Sequence, residues 1–519
     1  MGSGGTVRTL IIAGTGLSLD IDFANNVVGK VALSFPDSSP NVEKHAEAAG
    51  KILLQDLQLS PNQSPLTKML DKFSVNLERL AALDKLSVSP GLNCHEAFAG
   101  IYESLKRLHE WEVARLKEKE EMAGKSNDYI TKAAMCTKSG RPVMNAHKNV
   151  GLSVDYWQEK HVRSQGVESS SEGIPKTWSL VIECAPSSAM VYPSVRVSDK
   201  WISSEIAKSN PTADDLLMAT TGEVLDWQDP ENILLPLENN KSEGQMEGIE
   251  SDLNSANSKF PDVMFVAKFY PPLVVPYGIA NQVYSSTGST MDSFNLFTLD
   301  SLMFETSPTE KLQPDGSHRR LRRQTAIPVV SKDGQRSLRQ HNNTLTIHKV
   351  EYGRTLTELP FSHPRQLVDM LPTLRQYASL SSLLETSFGT QTKEFPAEDE
   401  EEADPKQTIR DEFEAFMAMQ DSKQNSHKSP DRLEIDVSLF TQPLPHLRLT
   451  FPFKNGTADI WFDIGMNGSL LVTSQNILEE GGKGNSSNGK TLAAQDLGRI
   501  LEISEDFGVF AEYIKRRLE

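Results

Sequence analysis

The residue types that do catalysis or hold metals are all present in this 519-residue chain, but their spacing assembles no known chemistry. Gly14-Thr15-Gly16 has two of the glycines of a dinucleotide-binding turn, lacks the third, and falls between two β-rich runs, so it reads as a hairpin turn. No P-loop, H-E-x-x-H, G-x-S-x-G or kinase signature occurs. The eleven histidines are scattered. Carboxylate pairs lie on predicted helix surfaces or in an acidic stretch, where a solvated face explains them. Cys94, Cys136 and Cys184 are far apart, which points to neither a zinc knuckle nor a disulfide framework and fits a reduced compartment. The expectation is a chain that is not an enzyme, with no catalytic residue, no cofactor and no metal.

Two linear motifs bear on recognition instead. Leu380-Ser-Ser-Leu383-Leu384 fits the L-x-x-L-L pattern of short helices that dock in apolar grooves, yet it continues the stripe of the preceding helix and reads as structural. His318 is followed by Arg319, Arg320, Leu321, Arg322 and Arg323 in a predicted loop, and the four arginines are a candidate nuclear import signal or a patch for an acidic partner. Ser-Pro pairs at Ser39, Ser60, Ser64, Ser89, Ser307 and Ser429 are candidate phosphorylation points as well as turns or helix starts.

The elements that carry these motifs follow from periodicity. Runs at 7–13, 17–23 and 27–35 form a three-stranded meander, with Leu19, Ile21 and Phe23 alternating against Ser18, Asp20 and Asp22. A helix over 42–59 follows. Leu66, Met69, Leu70, Phe73, Leu77, Leu80 and Leu83 then recur at three and four residues, predicting a core-facing helix over 66–86. After Ser89-Pro90-Gly91, Asn93 and Glu96 form an Asx capping box for a second helix with Phe98, Ile101, Leu105 and Leu108 as its stripe. Its charged extension over 111–122 is expected to project as solvated helix, and the pair to form an antiparallel hairpin. Trp111 among charges makes Leu108, Trp111 and Leu116 a candidate partner surface.

Beyond residue 130 the pattern changes to short strands at 151–157, 178–184, 191–197, 264–270 and 345–352, with a helical segment near 213–220 and insertions at 238–259 and 308–324. A helix begins at His363-Pro364 and ends at Gly389. An acidic linker, 391–432, contains Glu398-Asp-Glu-Glu-Glu-Ala-Asp404 and a transient helix over 409–419. Strands at 433–440, 447–453, 458–464 and 470–474 and terminal helices over 491–518 close the chain. The predicted fold is α+β: successive antiparallel β-meander plus helix units, a helical hairpin near the amino terminus, and disordered insertions. Its blocks are 1–128, 129–390, the linker 391–432, and 433–519.

Composition narrows the partners. A formal charge of −17 repels phosphate backbones, so direct nucleic-acid binding is disfavoured. No apolar run is long enough to span a bilayer. Met1-Gly2-Ser3-Gly4-Gly5-Thr6 matches the myristoylation pattern and equally an ordinary linker, which keeps a cytoplasmic peripheral-membrane or trafficking adaptor as the competing function.

Four segments resemble the Mediator complex subunit 1 family in its fungal form: Ile21-Asp-Phe23 with Val31-Ala-Leu-Ser-Phe-Pro36; Asn76-Leu-Glu-Arg-Leu-Ala-Ala-Leu-Asp-Lys-Leu86 with Asn93-Cys94 and Gly100-Ile-Tyr-Glu-Ser-Leu105; Ser139-Gly-Arg-Pro142 through Gly151-Leu-Ser-Val-Asp-Tyr-Trp157; and Leu371-Pro-Thr-Leu-Arg-Gln-Tyr377. The third is the most specific, having no generic helix or strand explanation. The resemblance implies a nuclear, non-enzymatic scaffold of the coactivator that bridges transcription factors and RNA polymerase II. It would sit in the middle module beside subunits four, seven and nine and serve activators directly or indirectly. In animal relatives the L-x-x-L-L boxes lie outside the conserved domain, so Leu380 to Leu384 do not inherit their role.

Overall fold

The computed structural model describes residues 7–518 apart from 37, 61–62, 88–91, 161–174, 188–192, 214, 216–222, 237–257, 292–296, 305–318, 331–335, 390–392, 395–431 and 479–491. The acidic linker with its transient helix, nearly all of the insertion at 238–259 and of the helical segment at 213–220, and the serines at 89, 307 and 429 lie outside the described residues, as does the Gly/Ser amino terminus.

Strands β1 (Val7–Ala13), β2 (Ser18–Ala24) and β3 (Val27–Ser34) make the predicted meander. Asn25 and Asn26 both take positive φ, the geometry of a two-residue hairpin turn. Leu19, Ile21, Val31 and Leu33 point to one side and are buried by α1 (Pro40–Glu43) and α2 (Ala46–Leu57), while Asp20 and Asp22 face outward. The turn at Gly14 is bound by α3 (Asp71–Leu86), whose Asp84 carboxylate accepts the N–H groups of Thr15 and Gly16, both at 2.7 Å. A Cβ on Gly14 would collide with that carboxylate, which is why a glycine stands there.

Three expectations for the helical pair need correction. The first helix starts at Asp71, not at 66, because an acidic residue in the first turn suits a helix amino terminus and Pro65 sets a separate 3-10 turn over Pro65–Thr67. The second helix, α4 (Cys94–Lys117), does not project. Glu112 and Leu116 are buried, the latter against Ile130 and Ala134 of α5 (Asn127–Thr137). Asn93 caps α4 through Oδ1, which accepts from His95 N and Glu96 N at 3.0 and 3.2 Å, but Glu96 does not complete the box and turns to Ser39 instead.

The middle of the chain contributes β4 (Arg141–Met144), β5 (Leu152–Gln158), β6 (Thr177–Pro186), β7 (Ile202–Ala207), β8 (Leu225–Trp227), β9 (Leu235–Pro236), β10 (Ser258–Lys259) and β11 (Val263–Pro276). Then come α6 (Tyr277–Ser286), β12 (Phe297–Thr298), α7 (Leu299–Met303), β13 (Arg319–Val330), β14 (Arg336–Ile347) and β15 (Tyr352–Phe361). The described part of 191–197 is irregular, and the run expected at 345–352 straddles the turn between β14 and β15. After α8 (Pro364–Phe388) the chain forms β16 (Lys393–Glu394), β17 (Arg432–Phe440), β18 (His446–Phe453), β19 (Gly456–Ile464), β20 (Leu470–Gln475), α9 (Ala494–Ser504) and α10 (Phe507–Leu518).

Two sheets organise these strands. A six-stranded sheet has the order β12-β15-β11-β6-β5-β4, and a seven-stranded sheet the order β16-β13-β14-β17-β18-β19-β20. Pairing is antiparallel except between β14 and β17, where Gln340 faces Arg432 and Ile347 faces Leu439 in parallel register. The carboxy-terminal meander therefore extends a sheet begun before the acidic linker. Period-two alternation specifies which face of a strand is buried but not which edge it joins, so this crossover is invisible to pattern reading.

Between the sheets runs α8, whose 25 residues contact both. His363 and Gln366 form a reciprocal cap at its start, with Gln366 Oε1 accepting from His363 N at 3.1 Å. Leu367, Leu371, Leu374, Ala378, Leu380, Leu383 and Leu384 are buried around the whole circumference, as a central helix requires. Terminal helices close the inner face of the larger sheet, where the rings of Phe462 and Phe510 meet edge to face at 5.7 Å.

Leu384 sits at the end of this packing, fully buried, so Leu384→Ala is expected to cost about 2 to 5 kcal/mol in urea unfolding. A midpoint equal to that of the parent protein would place the side chain outside the core.

Candidate assembly surface and the buried polar clamps

Arg375, at the centre of α8, is completely buried. Its Nε donates to Tyr156 O of β5 at 2.9 Å, one terminal nitrogen to Asn467 Oδ1 at 2.7 Å, and the other to Met135 O at 2.9 Å and to Lys138 O. Burial pulls its pKa down to about 10, which leaves it a cation at neutral pH, and fixed oxygens replace its lost water. Those oxygens come from the smaller sheet, the end of α5, and the turn between β19 and β20.

Around it lie further buried clamps. Glu112 of α4 accepts from Ser139 N and, at 2.7 Å, from Ser139 Oγ. Burial raises its pKa to about 7 against the pull of those donors. Burial likewise holds His109 at about 4. Asp155 accepts from Ser179 Oγ at 2.7 Å and Arg141 at 2.9 Å, with His147 Nε2 at 3.0 Å. Burial pushes Asp155 up, but His147, Ser179 and Arg141 together outweigh it and hold the carboxyl below its ordinary value, while His147 is raised in return.

These contacts explain the segment that neither helix nor strand patterning could. Ser139 binds Glu112, and Gly140 takes a φ of +80° where a Cβ would press on Val154 and on Leu371 of α8. Arg141 opens the β4–β5 hairpin, whose loop is closed by Asn145 accepting from Gly151 N at 2.9 Å. Asn76 of α3 joins the same loop, accepting from Val150 N and donating to Lys148 O and to Asp56. The Glu112 and Asp155 carboxylates and the Asn76 amide are engaged within the protein, whereas Arg141 Nε makes no hydrogen bond. Among the described residues, no group of three or more His, Cys, Asp or Glu side chains is placed to hold a metal, and no helix is long and apolar enough to cross a membrane.

The residues singled out for recognition fall in three places. Leu108 is fully buried and Leu116 packs on α5, whereas Trp111 is half-buried with the Arg115 guanidinium 5.3 Å from its ring centre. Leu380, Leu383 and Leu384 are interior. The arginine run is not a loop: Arg319 opens β13, Arg320 is exposed, Arg322 half-buried, and Arg323 buried, donating to Arg322 O.

What pattern reading missed is the surface beside α3. Leu66, Met69 and Leu70 are 97, 73 and 50% exposed, and Val75 is exposed with them. Leu10 and Ile11 of the edge strand β1 are likewise open to solvent. The spacing of 66, 69 and 70 matched a core stripe, and Pro65 with Asp71 was the signal that the helix begins later. These side chains are the candidate assembly surface.

No curated protein sequence matches the chain. The family model described as Mediator of RNA polymerase II transcription subunit 1 matches residues 1–389, a span that contains α3, α4, the β4–β5 hairpin and α8 with all but one of the clamp residues, Asn467 lying beyond it. Since that match covers well over half of its length, the chain belongs to the Mediator subunit 1 family.

Proposed function

We propose that this member of the Mediator complex works as a non-enzymatic scaffold in the nucleus, bridging transcription regulators and RNA polymerase II and contacting subunits four, seven and nine of the middle module. Membership in the family makes it a Mediator subunit acting in transcription regulation. The observation that carries the finer reading is the exposed apolar row Leu66, Met69, Leu70 and Val75. Such a row suits steady contact with another subunit, with hot spots at the largest side chains. Trp111 of α4 is a second contact point. Activators reach the complex through this subunit or through its neighbours.

Replacing Leu66 and Met69 together by serine is expected to weaken co-purification with the other Mediator subunits about tenfold or more, with Trp111→Ala acting in the same direction. Because the two residues are on the surface, the isolated chain's stability should stay within about 0.5 kcal/mol. Full retention of the other subunits by the double variant would remove the row from the assembly.

Nuclear import is assigned to the arginine run of β13, through Arg320, which is exposed, and Arg322, which is half-buried. A full-length fluorescent fusion carrying alanine at both is expected to move toward the cytoplasm. Unchanged nuclear accumulation would mean the subunit enters by another signal or with its partners.

A further inference from the structure

Ser39 occupies the N-cap position of α1, yet its side chain does not cap that helix. Its Oγ donates to Glu96 Oε2 at 2.7 Å, and its backbone N–H donates to Oε1 of the same carboxylate. Beside it, Asn93, the cap of α4, donates to Ser38 Oγ at 3.2 Å. The meander with α1 and α2 is thus clasped to the start of α4 by Ser39 on Glu96 and Ser38 on Asn93. Behind the clasp the rings of Phe35 and His95 lie 4.7 Å apart, at the wall of a cavity of about 50 Å³ also lined by Val42 and Phe98.

We propose that Ser39 is a phosphorylation site for a proline-directed protein kinase and that the phosphoryl group opens this clasp. Ser39 precedes Pro40, its backbone is extended at φ −67° and ψ 162°, and it is half-exposed between the exposed prolines Pro36 and Pro40. That is the conformation in which such kinases take a Ser-Pro substrate. In the transfer, Ser39 Oγ bonds to the γ-phosphorus of ATP as the bond from that phosphorus to the β,γ-bridging oxygen breaks; ADP leaves, and the hydroxyl proton passes to the kinase's catalytic carboxylate. The product has lost the donor that Glu96 accepted and carries nearly two negative charges against it. Lys44, the cation at the end of the same short helix, is already engaged by Glu103 at 2.5 Å. Repulsion then favours separation of α1 from α4.

The test treats the full-length chain with a proline-directed kinase and ATP, maps the phosphate by mass spectrometry, and follows backbone hydrogen exchange. Phosphate is expected on Ser39, with exchange over α1 and the first turn of α4 accelerated about tenfold or more. Ser39→Ala, which loses the Oγ bond but gains no charge, should show no kinase-dependent change and an exchange well below that of the phosphorylated protein. Glu96→Gln should remove most of the phosphate-dependent acceleration, because an amide can donate to the phosphoryl oxygens. The proposal is overturned if Ser39 stays unmodified while other Ser-Pro serines of the same chain are phosphorylated. Unchanged exchange in the Ser39-phosphorylated protein, or equal acceleration in Glu96→Gln, would also overturn it.

Discussion

A guanidinium with no exposed surface is stable only where oxygens wait for it, and Arg375 finds them in three separate parts of the chain: Tyr156 in the smaller sheet, Met135 and Lys138 at the end of α5, and Asn467 in the last turn of the larger sheet. Desolvating a cation costs several kcal/mol, and the attraction of well-placed acceptors offsets this only when all are present together. A compact state with either sheet displaced would leave a buried charge unpaired. The two sheets and α8 are therefore coupled by a constraint more demanding than apolar contact, which tolerates many packings.

The same device recurs at smaller scale through the amino-terminal block. Asp84 holds the β1–β2 turn, Asn76 holds the loop before β5, Glu112 holds Ser139, and Asp155 gathers Arg141, His147 and Ser179. Each bond contributes about 1 kcal/mol net, but losing one partner exposes the full desolvation penalty of the other. Polar chemistry of this kind is consumed in positioning elements. Among the exposed large apolar side chains of the described surface are those of the α2–α3 connection and of the edge strand β1.

Elements whose information is local were legible in the sequence. The meander, α8 with its His363 start and Gly389 end, and β17 to β20 all lie within a residue or two of their expected positions, because alternation, capping and breakers are short-range signals. The interior placement of Leu380, Leu383 and Leu384 followed from the stripe alone. Long-range facts were not legible: the parallel join of β14 to β17, the packing of Leu116 on α5, and the burial of Arg323 all depend on which element arrives opposite. The exposure of Leu66, Met69 and Leu70 was missed for a related reason, since a 3,4 spacing records an apolar face without saying whether this chain covers it. The resemblance added what periodicity could not in 139–157, where residues are held by distant partners: Ser139 by Glu112, Asp155 by Ser179 and Tyr156 by Arg375.

The coupling by Arg375 is tested most directly by equilibrium unfolding of Arg375→Met, a side chain of similar length with no charge, read together with hydrogen exchange at α5 and at the turn around Asn467. The expected result is a loss of about 3 kcal/mol or more, as buried neutral acceptors left without a donor cost roughly 1 to 3 kcal/mol each, with protection falling at both distant segments at once. Stability within about 1 kcal/mol of the parent, with α5 and the Asn467 turn still protected, would show that apolar packing alone holds the two sheets and would contradict this account.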